Sequence, residues 1–266
     1  MVMSETAMPS RKLIRDLEII QNTRLNRRHF LLELVSQEKL PGLFPGQFVQ
    51  VLIDNSPSTF LRRPFSIHKV DYQNNSFCLL VQIKGEGTRH LSILRKGGSL
   101  NVLFPLGNHF SLPEKDNVLL IGGGCGVAPL LFLSQYLAEH QIHPKILTGW
   151  RNKEDIIELS EYRNYGEVLI TTEDGSEGEK GLVVDHSILQ KAFPGLSRIY
   201  CCGPDPMMKS VAMIAKMHGA GCEVSLENLM ACGFGACLCC ITPTLEGNRR
   251  VCMEGPVFDT KVLGWH

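Results

Sequence analysis

Short apolar runs separated by turn residues make up the first part of the chain. Between residues 13 and 110 these runs are rich in leucine, β-branched and aromatic side chains, and proline and glycine lie between them. The clearest runs span residues 29–34, 47–53, 76–83 and 99–104. Runs of this length bounded by turn residues are typical of β-strands. Several such strands at this spacing predict a small antiparallel β-barrel.

After residue 112 the pattern changes to apolar runs that alternate with helical spacing. Runs typical of buried strands span residues 117–121, 145–149, 168–172, 198–202 and 223–226. Segments with the apolar spacing of helices span residues 129–140, 153–162 and 205–218. Strands that alternate with helices predict a parallel, doubly wound sheet. We therefore expect a barrel domain over residues 11–112, an α/β nucleotide-binding domain over 113–226 and a small C-terminal module over 227–266.

Composition narrows the classes of function. The chain has 266 residues, of which 44% are hydrophobic, and its 27 basic and 27 acidic residues give a formal net charge of zero. This balance is not typical of a nucleic-acid-binding protein or of a polybasic membrane anchor. No apolar run reaches the length of a membrane span, and residues 1–12 lack the apolar stretch of a secretory signal, so we expect none. The ten cysteines do not resemble a secreted disulfide framework, so we expect a cytoplasmic protein.

A C-terminal cysteine loop carries the most specific chemistry. Cys232, Cys237 and Cys240 follow a C-x₄-C-x₂-C spacing, and Cys252 follows after eleven residues. This is the ligand pattern of plant-type [2Fe–2S] clusters, and the small residues between the cysteines let the backbone wrap around the sulfurs. Zinc sites usually pair two short knuckles, whereas Cys252 has no Cys or His nearby in the sequence, so we favour the cluster. Cys239 is expected to be a bystander. Because such a cluster passes one electron at a time, the loop predicts electron transfer.

A glycine-rich turn lies between a predicted strand and a predicted helix. It comprises Gly122, Gly123, Gly124 and Gly126, and Pro129 follows at the start of the helix. Glycines let a pyrophosphate approach the backbone, and the helix N-terminus adds N–H groups and a favourable dipole. This context favours nucleotide binding over a purely structural turn, although the turn is G-x-G-x-x-P and departs from the dehydrogenase fingerprint G-x-G-x-x-G.

Two further motifs lie in the predicted barrel. Arg63 and Ser66 belong to the segment R-P-F-S, where the arginine could hold a phosphate and the serine could hydrogen-bond a flavin ring. An edge-strand cation beside an ordinary serine explains the same pattern equally well. Gly87 and Thr88 belong to G-E-G-T, which could cradle a second pyrophosphate or form only a turn with an N-cap threonine. Phosphate-binding candidates on two domains suggest two nucleotides.

Cys202 ends a predicted strand in the sequence C-C-G-P. Open α/β sheets bind ligands at the carboxyl ends of their strands, so Cys202 is a candidate neighbour of a nicotinamide ring. Burial as an ordinary apolar residue is the alternative, since free cysteines are often buried.

Taken together, these motifs resemble those of the ferredoxin–NADP reductase superfamily, which joins an FAD-binding barrel to a pyridine-nucleotide domain. Their order closely resembles that of the electron-transfer subunits of class 1B dihydroorotate dehydrogenases over residues 13–258. The resemblance implies cluster ligation by the four cysteines and NAD binding at the glycine turn. It implies an FAD site formed by Arg63, Pro64, Phe65, Ser66, Leu80, Val81, Gln82, Gly87 and Thr88. Phe65, Cys125 and Cys239 depart from the residues usual in the family.

The resemblance also implies a function. A catalytic partner that contains FMN would oxidise dihydroorotate to orotate, and the electrons would pass through the cluster and FAD of this chain to NAD⁺, in pyrimidine (UMP) biosynthesis. The family suggests a heterotetramer with two copies of each subunit, and neither nucleic acid nor a membrane is an expected partner. One alternative is a diaphorase-type flavin and iron–sulfur subunit of another oxidoreductase, such as a sulfide dehydrogenase or a hydrogenase. Another is a zinc-binding or sensor protein on a reductase scaffold.

The choice between NAD and NADP depends on charge. Selective NADP binding usually needs a cation near the 2′-phosphate. Arg151 and Lys153 follow the second predicted strand of the sheet, whereas Glu173 and Asp174 follow the third. The resemblance favours NAD.

Overall fold

The N-terminal part of the chain folds into six β-strands and one short helix, in a computed structural model that describes residues 11–54, 56, 58–190, 193 and 195–265. These elements are β1 (Leu13–Arg24), β2 (His29–Val35), β3 (Phe48–Val51), β4 (Arg63–Asp71), β5 (Ser76–Gln82), α1 (Glu86–Leu91) and β6 (Ser99–Leu106). The strands close into an antiparallel barrel in the order β1-β2-β5-β4-β3-β6. The predicted barrel is confirmed.

The second part of the chain forms a seven-stranded sheet with helices between its strands. Its elements are β7 (Val118–Gly123), α2 (Ala128–Glu139), β8 (Lys145–Trp150), α3 (Leu159–Arg163), β9 (Glu167–Thr172), β10 (Glu179–Lys180), α4 (Ser187–Gln190), β11 (Arg198–Cys202), α5 (Asp205–Met217), β12 (Gly221–Ser225), the hairpin β13 (Ile241–Thr244) and β14 (Gly247–Arg250), and β15 (Val257–Asp259). The sheet order is β10-β9-β8-β7-β11-β12-β15, and only the last pair is antiparallel. The predicted parallel α/β sheet is confirmed, with one antiparallel strand at its edge. Within the described ranges, no helix is both long and apolar enough to cross a membrane.

The predicted helix over residues 153–162 is wrong. Lys153–Asp155 forms a single 3₁₀ turn, and α3 follows as a separate element. Between them, Glu158 adopts a left-handed backbone with a φ of 59°, and the side chain of Ile157 is buried in the core. Burial of this isoleucine therefore overrides the helical spacing of the segment.

The C-terminal residues share a core with the parallel sheet. Val251, Phe258 and Leu263 belong to one hydrophobic cluster with Val224 and Cys201 of the central strands. In addition, β15 pairs with β12. The segment that carries the cysteine loop is therefore anchored directly to the sheet.

The barrel and the sheet pack against each other through α2. Phe132 of α2 inserts into the barrel core, and Leu31, on the outer face of β2, packs into the core around α2. His68 of β4 donates from Nδ1 to the carbonyl oxygen of Ala128 over 2.7 Å. These contacts fix the orientation of the two parts and leave a cleft between them.

Candidate functional site

A cleft of about 810 Å³ separates the barrel from the carboxyl edge of the sheet. The barrel side is formed by His29, Gln82 and Lys84. The opposite side is formed by residues that follow the ends of β7, β8, β9, β11 and β12, namely Gly124, Arg151, Glu173, Gly203 and Glu227. Open α/β sheets bind ligands at this edge, so the cleft is the candidate nucleotide site.

The glycine turn is packed so closely that side chains fit at few of its positions. A Cβ added at Gly126 would lie 2.4 Å from the carbonyl oxygen of Cys202, and one at Gly123 would lie 2.6 Å from a methionine sulfur. Gly122 is blocked by a neighbouring valine, while Gly124 has open space and a left-handed φ of 53°. All of these glycines except Gly122 line the cleft, so bare backbone is presented to a ligand in front of α2.

Cys202 lies beside the cleft but is itself fully buried. Burial is the main cause that raises the pKa of its thiol well above the usual value, and the Glu227 carboxylate adds to this effect. The sulfur lies 4.0 Å from Oε1 of Glu227. The side chain of Glu227 is open to the interior of the cleft, where the surrounding protein partly removes it from bulk water and so raises its pKa. The positive charge of Lys84 acts to lower the same pKa. Sequence reasoning missed Glu227 because it belongs to no motif. Its position just after β12, at the carboxyl edge, was the available signal.

The other end of the cleft carries the charges that bear on the choice of nucleotide. Arg151 Nε lies 3.1 Å from Oδ2 of Asp155, and Arg28 of the barrel lies 3.8 Å from the same oxygen. Glu173 lines this end, whereas Lys153 does not. Arg151, a predicted cation at this end, is therefore already paired, and the Glu173 carboxylate lines the same cleft.

The predicted flavin residues lie on two neighbouring barrel strands and on the segment that follows them. They are Arg63, Pro64, Phe65 and Ser66 on β4, Leu80, Val81 and Gln82 on β5, and Gly87 and Thr88 in α1. Leu80 and Val81 are buried, so only their backbone is available to a ligand, whereas Arg63 and Ser66 are half-buried. Gln82 is the member of this set that reaches the cleft.

The turn between β5 and α1 is tightly closed. A Cβ added at Gly87 would lie 2.8 Å from the Ile53 side chain. The hydroxyl oxygen of Thr88 accepts hydrogen bonds from the backbone N–H groups of Lys84 and Gly85 over 2.9 and 3.1 Å. This geometry fixes the backbone of the turn that is predicted to cradle a pyrophosphate.

The four predicted ligand cysteines form two pairs. The backbone N–H of Cys237 donates to the sulfur of Cys232 over 3.4 Å, and that of Cys252 donates to the sulfur of Cys240, also over 3.4 Å. The side chains within each pair also lie within hydrogen-bonding reach. Among the described residues, no three His, Cys, Asp or Glu side chains converge as a single metal ion requires. Hydrogen-bonding contacts therefore join Cys232 to Cys237 and Cys240 to Cys252.

Backbone N–H groups surround the first of these sulfurs. Burial raises the pKa of Cys232, but hydrogen bonds from the N–H groups of Cys237 and Phe234, from the Cys237 thiol and from the N–H of Ala236 outweigh it and lower the pKa to about 6. At the other pair, burial and the partner cysteine raise the pKa of Cys252 to about 12. A loop whose N–H groups stabilise thiolate is the environment that a bound metal cluster needs.

The cysteine loop is also tied to the barrel. Gln50 of β3 donates from Nε2 to the carbonyl oxygen of Ala231 over 3.3 Å. Sequence reasoning missed Gln50, although a polar residue inside the apolar run F-V-Q-V was a visible signal. The barrel therefore contacts both the cleft and the loop.

Comparison with known proteins adds independent information. Residues 227–264 match the family model described as the iron-sulfur cluster binding domain of dihydroorotate dehydrogenase B, and residues 120–213 match the oxidoreductase NAD-binding domain. The dihydroorotate dehydrogenase B (NAD(+)) electron transfer subunit of Caldanaerobacter subterraneus subsp. tengcongensis is 37% identical over 244 residues, which cover 90% of this chain and 94% of that one. The subunit of the same description from Fusobacterium nucleatum is 33% identical over 252 residues, covering 92% and 96%.

Solved structures show the same architecture. A structure of the NADH-dependent reduced ferredoxin-NADP oxidoreductase, described in connection with flavin-based electron bifurcation, matches with a TM-score of 0.84 and 28% identity over 94% of this chain and 90% of that one. The cytochrome b5 reductase domain of Ulva prolifera nitrate reductase matches with a TM-score of 0.65 and 16% identity over 78% and 93%. The second likeness concerns the fold alone.

The fold and the site define an oxidoreductase of the ferredoxin–NADP reductase superfamily with an added iron–sulfur-binding segment. The identity to the two bacterial subunits, over nine tenths of the chain or more, goes further. The chain belongs to the family of electron transfer subunits of dihydroorotate dehydrogenase B. The predicted family and fold class are thereby confirmed.

Proposed function

We propose that this chain is the electron transfer subunit of an NAD-dependent dihydroorotate dehydrogenase in pyrimidine biosynthesis. It receives the electrons of dihydroorotate oxidation from a catalytic partner that contains FMN, and it delivers them to NAD⁺. The observation that carries the proposal is that one packed body holds both a nucleotide cleft and a loop of paired cysteines.

FAD is assigned to residues 63–66, 80–82 and 87–88. The support is that β4 pairs with β5 and that α1 follows β5 directly, so the three segments are contiguous. When bound, FAD and an iron–sulfur cluster supply the redox chemistry, because a cluster carries single electrons and a flavin exchanges them for a hydride. The residues of this chain bind and orient these groups.

A [2Fe–2S] cluster is assigned to Cys232, Cys237, Cys240 and Cys252. Each iron of a two-iron cluster takes two cysteine sulfurs, whereas a structural zinc site gathers four ligands around one ion. The contacts that join Cys232 to Cys237 and Cys240 to Cys252 support the cluster over zinc.

NAD is assigned to the cleft, with its pyrophosphate at the glycine turn. The pairing of Arg151 with Asp155 and the carboxylate of Glu173 support NAD over NADP, because an extra phosphate at this end would have to compete with a carboxylate for the arginine. Glu227 and the buried thiol of Cys202 lie at the carboxyl ends of β12 and β11. They are the candidate neighbours of the nicotinamide ring.

The catalytic partner is assigned to the surface around the cysteine loop, in a complex with two copies of each subunit. Leu229, Phe234 and Leu238 are 85%, 53% and 54% exposed there, and Cys237 is also exposed. Large exposed apolar side chains are typical of protein–protein interfaces. A cluster beside such a surface can exchange electrons with a docked protein.

The cytoplasm is assigned as the location of the complex. All ten cysteines lie within the described residues, and none of them forms a disulfide. Cysteines that form no disulfide bonds are typical of a reducing compartment.

The test uses the isolated chain, loaded anaerobically with FAD, iron and sulfide, and then the same chain with its catalytic partner. NADH should bleach the flavin absorbance of the isolated chain, and dihydroorotate should do so only after the partner is added. Leu238→Ser should weaken this partner-dependent reaction, while Met217→Ser, a change of another exposed side chain on α5, serves as the matched control. Reduction of the isolated chain by dihydroorotate, or no effect of the partner, would contradict the proposal.

A diaphorase-type subunit of another oxidoreductase is the second candidate. The TM-score of 0.84 with the NADH-dependent reduced ferredoxin-NADP oxidoreductase favours it. Affinity purification from the native cell separates the two, because the first proposal requires a dihydroorotate-oxidising protein in the complex. A colourless chain that contains zinc would instead support a zinc-binding or sensor protein.

A further inference from the structure

Gln50 is a fully buried polar side chain in an otherwise apolar strand. Its neighbours Val49 and Val51 point into the barrel core, so Gln50 points outward, toward the C-terminal residues. There its Nε2 donates to Ala231, the residue directly before Cys232, over 3.3 Å. The side chain therefore reaches the base of the cysteine loop.

The amide of Gln50 also packs directly against Gly233. A Cβ at this glycine would lie 2.6 Å from both Cδ and Oε1 of Gln50, and the backbone of Gly233 is left-handed with a φ of 75°. On its other side, Gln50 is paired in register with Pro64 of β4, the strand assigned to FAD. One residue thus contacts both the strand assigned to FAD and the loop assigned to the cluster.

The amide oxygen of Gln50 lowers the stability of the folded chain. Oε1 is buried and has no hydrogen-bond partner among the described residues. The amide cannot be turned around, because its oxygen would then face the Ala231 carbonyl, which only accepts. A buried unsatisfied acceptor costs more than one ordinary hydrogen bond returns. The hydrogen bond to Ala231 and the unpaired oxygen have opposite effects on stability, so stability alone gives little reason for a glutamine here.

We propose that Gln50 is a positioning residue that fixes the cysteine loop relative to β4 and so controls single-electron transfer between the flavin and the cluster. This inference rests on the proposed function. With NADH as donor, the reverse of the proposed direction, bound FAD would accept two electrons as a hydride, and it would pass one to the oxidised cluster while the other stayed on the flavin. The Gln50 side chain faces the cysteine loop and does not line the nucleotide cleft, so it acts on the transfer to the cluster and not on the hydride transfer.

Gln50→Met, which keeps the length of the side chain and removes both amide atoms, is the test variant, and Gln50→Leu replaces it if the first does not fold. Gln135→Leu is the matched control. Gln135 also donates to one backbone carbonyl, that of Val70 over 3.2 Å, and also has a buried oxygen without a partner, but it lies between α2 and β4. Three quantities are measured: urea unfolding of the cofactor-free chain, flavin bleaching by NADH, and reduction of the cluster by freeze-quench EPR.

In the Gln50 variant we expect unchanged or higher stability and unchanged flavin bleaching, with cluster reduction slowed several-fold and an altered EPR line shape. The Gln135 control should match the wild type in the rate of cluster reduction and in the EPR line shape. Wild-type cluster reduction in the Gln50 variant would overturn the inference, as would equal slowing in both variants. A wild-type chain that binds neither flavin nor iron would instead remove the proposed function.

Discussion

Replacement of Gly126 by alanine tests how the nucleotide cleft is built. The added methyl carbon would lie 2.4 Å from the carbonyl oxygen of Cys202 and 2.6 Å from the Cα of Gly203. Both are backbone atoms, so no rotation of a side chain can relieve the contact. Because ordinary contact begins at 3.4 Å, the glycine turn and the segment after β11 must move apart by about 1 Å in a close-packed region.

The expected cost follows from two opposing effects. An extra methyl group in a well-packed site destabilises by about 1–3 kcal/mol, and the reduced freedom of alanine in the unfolded chain returns about 0.4–1 kcal/mol. We expect a net loss of about 1–2 kcal/mol, which lowers the melting temperature by about 2–8 °C in a domain of this size. Since both displaced segments line the cleft, NAD⁺ affinity should fall by about tenfold, the equivalent of about 1.4 kcal/mol.

Two measurements on the FAD-loaded chain check this prediction: thermal unfolding by circular dichroism, and titration with NAD⁺ followed by the flavin difference spectrum. Gly221→Ala is the matched control. The three atoms nearest to its Cβ would belong to the flexible Arg198 side chain, at 3.5 Å or more, and it lies at the start of β12, away from the cleft. A Gly126→Ala protein that melts and binds NAD⁺ like this control would refute the argument from close packing.

Three further predictions address the cysteine loop, the nucleotide and the response to pH. Cys240→Ser should lose most of its iron and acid-labile sulfide, because it removes one sulfur of the Cys240–Cys252 pair. Cys239→Ser should retain both, since only the backbone N–H of Cys239 contacts a sulfur of the other pair. Equal iron contents of the two variants in anaerobic preparations would contradict this. Glu173→Gln should raise the use of NADP⁺ relative to NAD⁺ several-fold, because it removes a carboxylate from that end of the cleft; steady-state kinetics with both nucleotides measure the ratio, and an unchanged ratio argues against the assignment. Burial lowers the pKa of His29 below 6.5, so the unfolded chain takes up a proton before the folded chain does, and wild-type stability should fall as the pH drops below about 6.5. His29→Gln should lose less stability than the wild type between about pH 7.5 and about pH 5 in urea unfolding, and identical losses would show that His29 does not contribute.

The two main parts of the fold could be predicted from sequence because each depends on short-range periodicity. Leu31 and Leu32 of β2 illustrate this, since one faces the neighbouring domain and the other the barrel core, as the period of a strand requires. The glycine turn was equally accessible, because its strand, turn and helix are adjacent in the chain. Pro129 lies in the first turn of α2, as predicted.

The walls of the cleft and the support of the cysteine loop could not be predicted in this way, because they join residues that are far apart in the chain. Gln50 and Ala231 are 181 positions apart, and the approach of Glu227 to Cys202 depends on the pairing of β11 with β12. The error at residues 153–162 has the same origin, since the burial of Ile157 depends on the surrounding core. Periodicity shows which face of an element is apolar, but not what covers it.

The position of β4 makes it a common support for the two sites that we propose for FAD and the cluster. On one side, His68 of β4 binds the carbonyl group of Ala128, the first residue of the helix that follows the glycine turn. On the other side, β4 pairs with β3, and Gln50 of β3 holds Ala231 at the base of the cysteine loop. A shift of β4 would therefore disturb the cleft and the loop together. Transfer between bound groups requires their separation to be held closely, so a closed barrel, which has no free edge and little freedom to bend, is suited to be the common support of both sites.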